Sequence, residues 1–389
     1  MMKYNTNLKL LSTSQMSLYQ ENLSKIKDIL LLTYGESDLP VNKEIKSALI
    51  NSLLDNHDKY CSSYGLLSLR KNIANKLNKQ YDLNYNYENI IITNGATEAL
   101  FLSLSSLIND NDEVIIFKPY YPEYLQILNY LHAKINIIDC DDEFNPNIDY
   151  FIKIISNKTK LIILNYPNNP SGKILNKETL LSLKKYLLKY KTLIVLDNVY
   201  DEIIFENNNS LLEFNELKKQ FIIVNSLSKS QQLTGWRLGY LACNKDIINL
   251  AYKLKNMVNI CLPHFLMSAM EVSLNLKVEL SYYKANMLYA YNFLNKLKLD
   301  VFKPQGGFYL IFKIDKFHMS SLEFCSYLAN NYQVGLLPCS FFGLNNYVRL
   351  CFAIDTKKLI TSLNRIKKCI KTINKKKEPG NLPLSHKIP

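Results

Sequence analysis

The sequence predicts an α/β protein: a large domain with a mostly parallel seven-stranded sheet flanked by helices, followed by a smaller α+β domain. Three observations support this fold class. Short runs rich in β-branched residues recur along the chain, helical patterns separate many of them, and 389 residues are too many for one simple core. The predicted strands are 89–93, 113–117, 134–138, 160–165, 192–197, 221–225 and 239–243.

Helical stretches between these strands include 97–108, 122–131 and 177–188. Strands that alternate with helices indicate a sheet whose two faces are both covered. A long helical region follows, and then two further strands and a closing helix, predicted at 263–297, 306–312, 348–353 and 356–373.

These elements divide the chain into four predicted parts. Residues 1–44 form an N-terminal segment that packs with the small domain, and residues 45–275 form the large domain. The small domain is predicted at 276–373. The charged, Pro- and Gly-containing tail at 374–389 is predicted to be disordered.

The composition limits the class of protein. Hydrophobic residues make up 48% and charged residues 21% of the chain, and no apolar run is long enough to span a bilayer. The first twenty residues lack the sustained apolar core of a signal peptide, so we expect a cytoplasmic protein with no membrane partner. Eight cysteines without a C-x-x-C pair, and five histidines without H-E-x-x-H, give no support for a metal site.

The formal charge of +13 comes almost entirely from lysines that lie along the whole chain. This distribution indicates a solvated surface and not a nucleic-acid-binding face. In a chain that so strongly favours lysine, an arginine indicates a need for a planar, two-pronged donor. The arginines are Arg70, Arg237, Arg349 and Arg365.

Unusual residues follow the predicted strands, at the carboxyl ends where open α/β sheets bind ligands. A glycine at the start of a helix allows a phosphate to approach the free N–H groups there. A buried strand that ends in a carboxylate, Asp197, needs a cation or hydrogen-bond donors beside it. A lysine that is removed from water, such as Lys229, becomes a nucleophilic amine. Each feature alone also has a structural explanation, such as a turn, a helix cap or a surface lysine. The segments are N-G-A-T-E-A-L at 94–100, P-Y-Y-P-E-Y at 119–124, N-Y-P-N-N-P-S-G at 165–172, D-N-V-Y-D-E at 197–202, S-L-S-K at 226–229 and G-W-R-L-G-Y at 235–240.

Together these motifs resemble those of the class I/II aminotransferases, which are fold type I pyridoxal-phosphate enzymes. The most specific part is S-x-S-K followed by G-W-R-x-G-Y, in order with N-N-P-S-G and D-x-x-Y, and the similarity covers roughly residues 30–373. The resemblance implies a transferase with pyridoxal 5'-phosphate as cofactor. It would move an amino group from an amino acid to a 2-oxo acid by a ping-pong mechanism.

The resemblance also implies roles for individual residues. Lys229 would hold the cofactor as a Schiff base and then move the substrate's α-proton, while Asp197 would keep the pyridine nitrogen protonated. Asn169 and Tyr200 would hydrogen-bond the 3-oxygen of the ring, and Tyr121 would stack on the ring. The residues implied to hold the phosphate are Gly95, Ala96, Thr97, Ser226 and Arg237.

Three further positions concern the substrate and a second subunit. Arg349 matches the arginine that grips the substrate α-carboxylate bidentately, and Gly35 matches a glycine that lines the substrate site together with Asn169. Tyr64 resembles the tyrosine that reaches the phosphate of the partner subunit, so a homodimer with shared active sites is implied. Of the other arginines, Arg70 is expected to support the structure and Arg365 to lie on a helix surface.

Two positions depart from the family pattern: Cys339 stands where Gly is frequent, and Asn198 where Glu is frequent. Both leave the choice of substrate open. No second arginine is placed to bind a side-chain carboxylate, so we expect a neutral, aromatic or basic substrate more than a strictly dicarboxylic one.

Two alternative functions remain at this point. One is an elimination or cyclisation of an amino acid with the same cofactor, because reaction choice depends on which bond lies perpendicular to the ring. The other is a non-catalytic regulator with the same fold. The intact Lys229, Asp197 and Arg237 disfavour a regulator, as do the roughly thirty residues before Gly35, which are too few for a DNA-binding domain.

Overall fold

A computed structural model describes residues 13–206 and 209–376, together with Leu8 and Leu11. The N-terminal part precedes the central sheet in the chain and contributes buried residues such as Leu32 and Ile45. It contains helix α1 (Gln15–Ser24), strand β1 (Leu30–Leu31), helix α2 (Lys43–Leu54) and helix α3 (Leu67–Tyr81).

The central sheet has seven strands, and it confirms the predicted fold class. In chain order they are β2 (Ile90–Asn94), β3 (Glu113–Phe117), β4 (Lys134–Ile138), β5 (Thr159–Leu164), β6 (Leu193–Asp197), β7 (Phe221–Ser226) and β8 (Leu238–Cys243). Their order across the sheet is β2-β8-β7-β6-β5-β3-β4. Only β8 runs antiparallel to its neighbours β2 and β7, and every other adjacent pair is parallel.

Helices cover both faces of this sheet. They are α4 (Gly95–Leu107), α5 (Pro122–Tyr130), α6 (Ile148–Ile154), α7 (Lys177–Tyr190), α8 (Leu227–Ser230), α9 (Lys245–Val258) and α10 (His264–Ser273). Successive strand residues enter different cores: Ile90 and Ile92 pack in one hydrophobic cluster, and Ile91 between them packs in another. This alternation explains why the strands read as continuous apolar runs, since both faces are buried.

The C-terminal part forms a smaller layer of helices on a four-stranded sheet. Its elements are α11 (Leu280–Lys296), β9 (Val301–Phe302), β10 (Tyr309–Lys313), α12 (Ser321–Tyr332), β11 (Val334–Gly335), β12 (Leu337–Pro338), β13 (Tyr347–Cys351) and α13 (Thr356–Lys376). Strands β12, β13, β10 and β9 pair antiparallel in that order. Strand β1 from the N-terminal part pairs in parallel with β11.

Two sequence predictions need correction in detail. The helical region predicted at 263–297 is interrupted between α10 and α11. The carbonyls of Leu274 and Leu276 accept hydrogen bonds from the side chains of Lys76 (3.2 Å) and Gln231 (3.1 Å) and not from a continuing helix. The predicted disordered tail begins too early, since 374–376 continue α13; its remaining residues, 377–389, lie outside the described part of the chain.

Within the described residues, the helices are too short or too polar to cross a lipid bilayer.

Candidate active site

A cavity of about 260 Å³ opens at the carboxyl ends of β5, β6 and β7. The central sheet, the small C-terminal sheet and the N-terminal segment all contribute to its wall. Of the predicted site residues, it brings together Gly35, Ala96, Thr97, Tyr121, Asn169, Asp197, Tyr200, Ser226, Lys229, Arg237 and Arg349. These side chains are distant in sequence, and the parallel strands place them at one edge of the sheet.

Lys229 lies on α8, the short helix that follows β7. Its Nζ donates a hydrogen bond to the carbonyl oxygen of Gly35 at 2.5 Å. Burial lowers the pKa of the Lys229 amine to about 8, and the nearby Arg349 and Arg237 contribute to that shift. An amine with this pKa is partly neutral near pH 7 to 8, and is therefore able to act as a nucleophile or a base.

Asp197 is the last residue of β6, and only 5% of it is exposed. Its Oδ2 accepts a hydrogen bond from the hydroxyl of Tyr124 at 2.5 Å. Burial raises the pKa of Asp197 to about 6, although this hydrogen bond acts in the opposite direction. The residues after Asp197 form turns and no helix, so the carboxylate faces the cavity and is not a helix cap.

Arg349, on β13, closes the side of the cavity formed by the small sheet. One Nη donates to Asn169 Oδ1 at 2.7 Å and the other to the carbonyl of Thr33. The guanidinium carbon lies 4.0 Å from the centre of the Tyr309 ring. The Nε of Arg349 is buried and has no hydrogen-bond partner among the described residues, so the fork retains an unused donor.

Tyr309 joins Arg349 to the centre of the site. Its hydroxyl oxygen lies 2.7 Å from that of Tyr200. A Cβ added to Gly35 would lie 1.8 Å from the Tyr309 hydroxyl, so only glycine allows this close approach. Burial raises the pKa of both tyrosines, which keeps their hydroxyl groups protonated as donors.

The opposite end of the cavity is built from the start of α4, the end of β7 and Arg237. Gly95 has φ +74°, and a Cβ there would lie 2.8 Å from an Nη of Arg237. The hydroxyl of Ser226 accepts from the Ser228 N–H at 3.1 Å and donates to the Leu238 carbonyl at 2.8 Å. Free N–H groups at a helix start, beside a guanidinium, form a site for an anion such as phosphate.

Two predicted residues do not line the cavity. Gly95 lies directly behind it, against Arg237. Tyr64 lies away from this chain's cavity: its ring stacks on Tyr252 at 4.1 Å, and its hydroxyl donates to Asn249 at 3.2 Å. Arg70 also packs on the Tyr64 ring at 4.9 Å and donates to backbone carbonyls.

The structure adds residues that sequence analysis missed. Tyr124 belongs to the aromatic segment noticed at 119–124, but its contact with Asp197 was not predicted. Tyr309 lies in the strand predicted at 306–312, and that prediction gave it no role in the site. Met16, Gln20 and Thr33 also line the cavity, and no motif in the N-terminal segment indicated them.

The two positions that depart from the family pattern are both buried away from the cavity lining. Cys339 starts a helical turn that also contains Phe342, whose ring lies 5.1 Å from the Arg349 guanidinium. Asn198 donates its backbone N–H to Val224 at 2.9 Å. Cys339 can therefore affect the site only indirectly, through the residues around it.

Comparison with known proteins agrees with this geometry. The family model for aminotransferases of class I and II matches residues 27–366. A probable aspartate aminotransferase of Methanocaldococcus jannaschii is 33% identical over 87% of this chain and 93% of its own length. The crystal structure of an aspartate aminotransferase from Thermotoga maritima has a TM-score of 0.89 at 26% identity, with 95% of this chain and 100% of that chain covered.

An aromatic aminotransferase from Pyrococcus horikoshii has a TM-score of 0.86 at 28% identity, with 92% of this chain and 99% of that chain covered. The family match spans the seven-stranded and the four-stranded sheets and, apart from Met16 and Gln20, every residue that lines the cavity. This chain therefore belongs to the class I and II aminotransferases and is an enzyme of amino-group transfer.

Proposed function

We propose that the cavity binds pyridoxal 5'-phosphate, with Lys229 as its covalent anchor, and that the enzyme exchanges an amino group between an amino acid and a 2-oxo acid. One observation supports this most strongly. A buried amine, Lys229, and a buried carboxylate, Asp197, face one cavity between an arginine at each end, Arg237 and Arg349. The raised pKa of Asp197 marks a carboxylate without a close cationic partner, which suits a protonated pyridine nitrogen.

When bound, the cofactor supplies an aldehyde that condenses with amines and a ring that withdraws electrons from the substrate's Cα. Lys229 is the base that removes the α-proton and the acid that returns a proton, because its lowered pKa leaves the amine partly neutral near neutral pH. Asp197, held by Tyr124, would keep the ring nitrogen protonated. Tyr200 and Asn169 would donate to the 3-oxygen of the ring, and Tyr121 would stack on its face.

The phosphate is held by the end of the cavity described above. The N–H groups of Ala96 and Thr97 at the start of α4 carry the partial positive charge of the helix end. The Arg237 guanidinium adds positive charge, and the Ser226 hydroxyl, which donates to the Leu238 carbonyl here, would turn to donate to the phosphate. Gly95 permits this arrangement because any side chain there would meet Arg237.

Arg349 binds the α-carboxylate of the substrate at the other end, beside Gly35 and Asn169. Its Nε has no partner among the described residues and each Nη donates one hydrogen bond, to Asn169 and to the Thr33 carbonyl, so the guanidinium keeps N–H donors for a carboxylate. Among the described residues, the cations that line the cavity are Lys229, Arg237 and Arg349, and each has a role above. No further described cation of this chain lines the cavity to meet a second carboxylate, so we propose a neutral, aromatic or basic substrate side chain in preference to a strictly dicarboxylic one.

We also propose that the enzyme is a homodimer with shared active sites. The exposed ends of α2 and α9 and the loops after them carry an apolar surface, with Leu54, Tyr60, Met257, Val258 and Ile260 each more than half exposed. Exposed apolar groups of this size mark an interface. Tyr64 lies near this surface in sequence and outside its own chain's cavity, as expected of a residue that reaches the partner's phosphate.

The proposed enzyme consists of three parts of the chain that pack against one another. We propose that residues 45–275 form the cofactor-binding domain and 276–373 the small domain, with 1–44 packed on the small domain. The pairing of β1 with β11 and the hydrogen bond from Arg349 to Thr33 support that assignment.

Absorption spectroscopy tests the proposed function. The purified protein with added pyridoxal 5'-phosphate is expected to show a visible band that a productive amino acid bleaches and a 2-oxo acid restores. Aspartate and glutamate are expected to bleach it more slowly than phenylalanine, tyrosine or leucine. A Lys229→Ala variant is the control and is expected to lack the cycle. Release of ammonia or a cyclic product without an oxo acid would contradict amino transfer.

A further inference from the structure

A buried ion pair lies directly behind the phosphate end of the cavity, and no step above uses it. Lys255 on α9 has a side chain that is 1% exposed, and its Nζ lies 3.5 Å from Oε2 of Glu98, whose side chain is 12% exposed. Glu98 is in the first turns of α4. Neither residue lines the cavity.

Glu98 is attached to the part of α4 that faces the cavity. Its Oε2 accepts a hydrogen bond from the backbone N–H of Asn94 at 2.5 Å. Asn94 directly precedes Gly95, and the next two residues, Ala96 and Thr97, line the cavity. A carboxylate is therefore fixed at the base of the same helix end that carries the proposed phosphate site.

This placement creates an electrostatic conflict. A helix N-terminus attracts anions through its partial positive charge, and a carboxylate beside it partly neutralises that charge. At low solvent exposure the repulsion between the carboxylate and a phosphate dianion is poorly screened. A cation behind Glu98 would remove most of that repulsion.

Lys255 is placed to do this: Glu98 is the main charged group that acts on its amine, and the thiols of Cys61 and Cys261 contribute less. Its Nζ is buried and has no hydrogen-bond partner among the described residues, so Glu98 is the anion that it meets. A buried ammonium ion is expensive to keep, and a pair of this kind is often replaced by apolar residues without loss of stability. Stability alone is therefore a weak reason for a lysine at this position.

We infer that Lys255 is a positioning residue that neutralises Glu98, so that the start of α4 remains available to the cofactor phosphate. This inference rests on the proposed function. It assigns the pair an electrostatic role in cofactor affinity and no part in the chemical step.

The test compares cofactor forms with and without the phosphate. Dissociation constants for pyridoxal 5'-phosphate and for pyridoxal are measured by absorbance on the full-length apoprotein, without any assay of turnover. Lys255→Met is expected to reduce the preference for the phosphorylated form by about tenfold or more. Glu98→Gln, which keeps an acceptor for the Asn94 N–H, is expected to leave that preference unchanged or to increase it.

The double variant Lys255→Met/Glu98→Gln is expected to recover the wild-type preference to within about twofold, because the two charges are removed together. Lys253→Met is the matched control: it removes a lysine from the exposed side of the same helix and is expected to have no effect.

Several outcomes would overturn the inference. Equal weakening of both cofactor forms by Lys255→Met would show that the lysine maintains only the shape of the cavity. The same conclusion would follow if the double variant preferred the phosphorylated form no more than Lys255→Met does. If Lys255→Met does not fold, a reduced phosphate preference in Glu98→Gln overturns the inference. A wild-type protein that binds neither form would instead contradict the proposed function, and the inference with it.

Discussion

Asp197 shows how a single functional side chain affects stability. The pKa of its buried carboxyl is about 6 in the folded protein, against an ordinary value of 3.8. The folded state therefore holds this proton more tightly than the unfolded chain. The apoprotein consequently loses stability as the pH rises from about 4 to 6, and the full cost of the buried charge is present above that range.

Asp197→Asn is expected to make the apoprotein more stable at pH 7.5, by about 3 kcal/mol, because a neutral amide avoids the cost of burying a charge. The difference in free energy of unfolding, measured with urea, is expected to vanish as the pH falls toward 4. The same variant is expected to lose nearly all amino transfer. A variant less stable than wild type at pH 7.5, or one with near-native turnover, would contradict the role assigned to Asp197.

Arg349→Lys tests the substrate end of the cavity. Lysine keeps the charge but loses the planar fork that can meet a carboxylate with two parallel hydrogen bonds. The Michaelis constant for the amino donor is expected to rise about 10- to 100-fold, as for the loss of a charge-assisted hydrogen bond. Binding of pyridoxal 5'-phosphate is expected to change little and serves as the internal control. An unchanged Michaelis constant would remove Arg349 from the substrate site.

Sequence motifs predicted single residues best where the residue type is rare in this chain. Arg237 and Arg349 were conspicuous among so many lysines, and the structure places both at the cavity. Tyr124 and Tyr309 were missed because they are two of 27 tyrosines. Their roles depend on contacts between distant segments, which no local pattern contains.

Helix α4 also depends on a contact between distant segments of the chain, here at the level of a whole element. Its strand-to-helix turn needs a left-handed residue at Gly95, where φ is +74°. The close approach of Arg237 to that glycine fixes the two sides of the proposed phosphate site relative to each other.

Gly95→Ala is expected to weaken pyridoxal 5'-phosphate binding and to destabilise the protein by about 1 to 2 kcal/mol, because a left-handed alanine is strained and its Cβ displaces Arg237. Cofactor titration and urea unfolding measure the two effects. Gly235→Ala is the matched control, since a Cβ there meets no atom within 4 Å. Equal behaviour of the two variants would show that the turn does not shape the phosphate site.

Elements were predictable from sequence when their apolar pattern was continuous. Each strand of the central sheet begins and ends within about one residue of its predicted range, because burial on both faces selects uninterrupted β-branched runs. The break at 274–279 was not predictable. It depends on Lys76 and Gln231, which are far away in sequence and bind the freed carbonyls.

On the scale of the whole molecule, the main expectation is that two chains complete each other's sites. Met257→Asp combined with Val258→Asp places charges in the exposed apolar surface. Sedimentation is expected to show a dimer for the wild type and a monomer for this variant, with amino transfer reduced by about tenfold or more, since the partner's contribution to the phosphate site is lost.

Leu181→Asp is the control for this experiment. Leu181 is 48% exposed on α7, away from the proposed interface, and the variant is expected to remain dimeric and active. A wild-type monomer that turns over substrate would contradict the shared active site.

The arrangement of the N-terminal segment was the least predictable feature at this scale. Met16, Gln20 and Thr33 reach the cavity because α1 and β1 pack across the small domain, through contacts that join the two ends of the chain. Such contacts depend on the completed fold, and short motifs do not specify them.

The central claim is that Lys229 anchors the cofactor, and peptide mapping tests it most directly. The protein is incubated with pyridoxal 5'-phosphate, reduced with borohydride and digested, and the modified peptide is identified by mass spectrometry. We predict one dominant adduct, on the peptide that contains Lys229, and its loss in Lys229→Ala. An adduct spread over surface lysines, or one dominant at another lysine, would contradict the account.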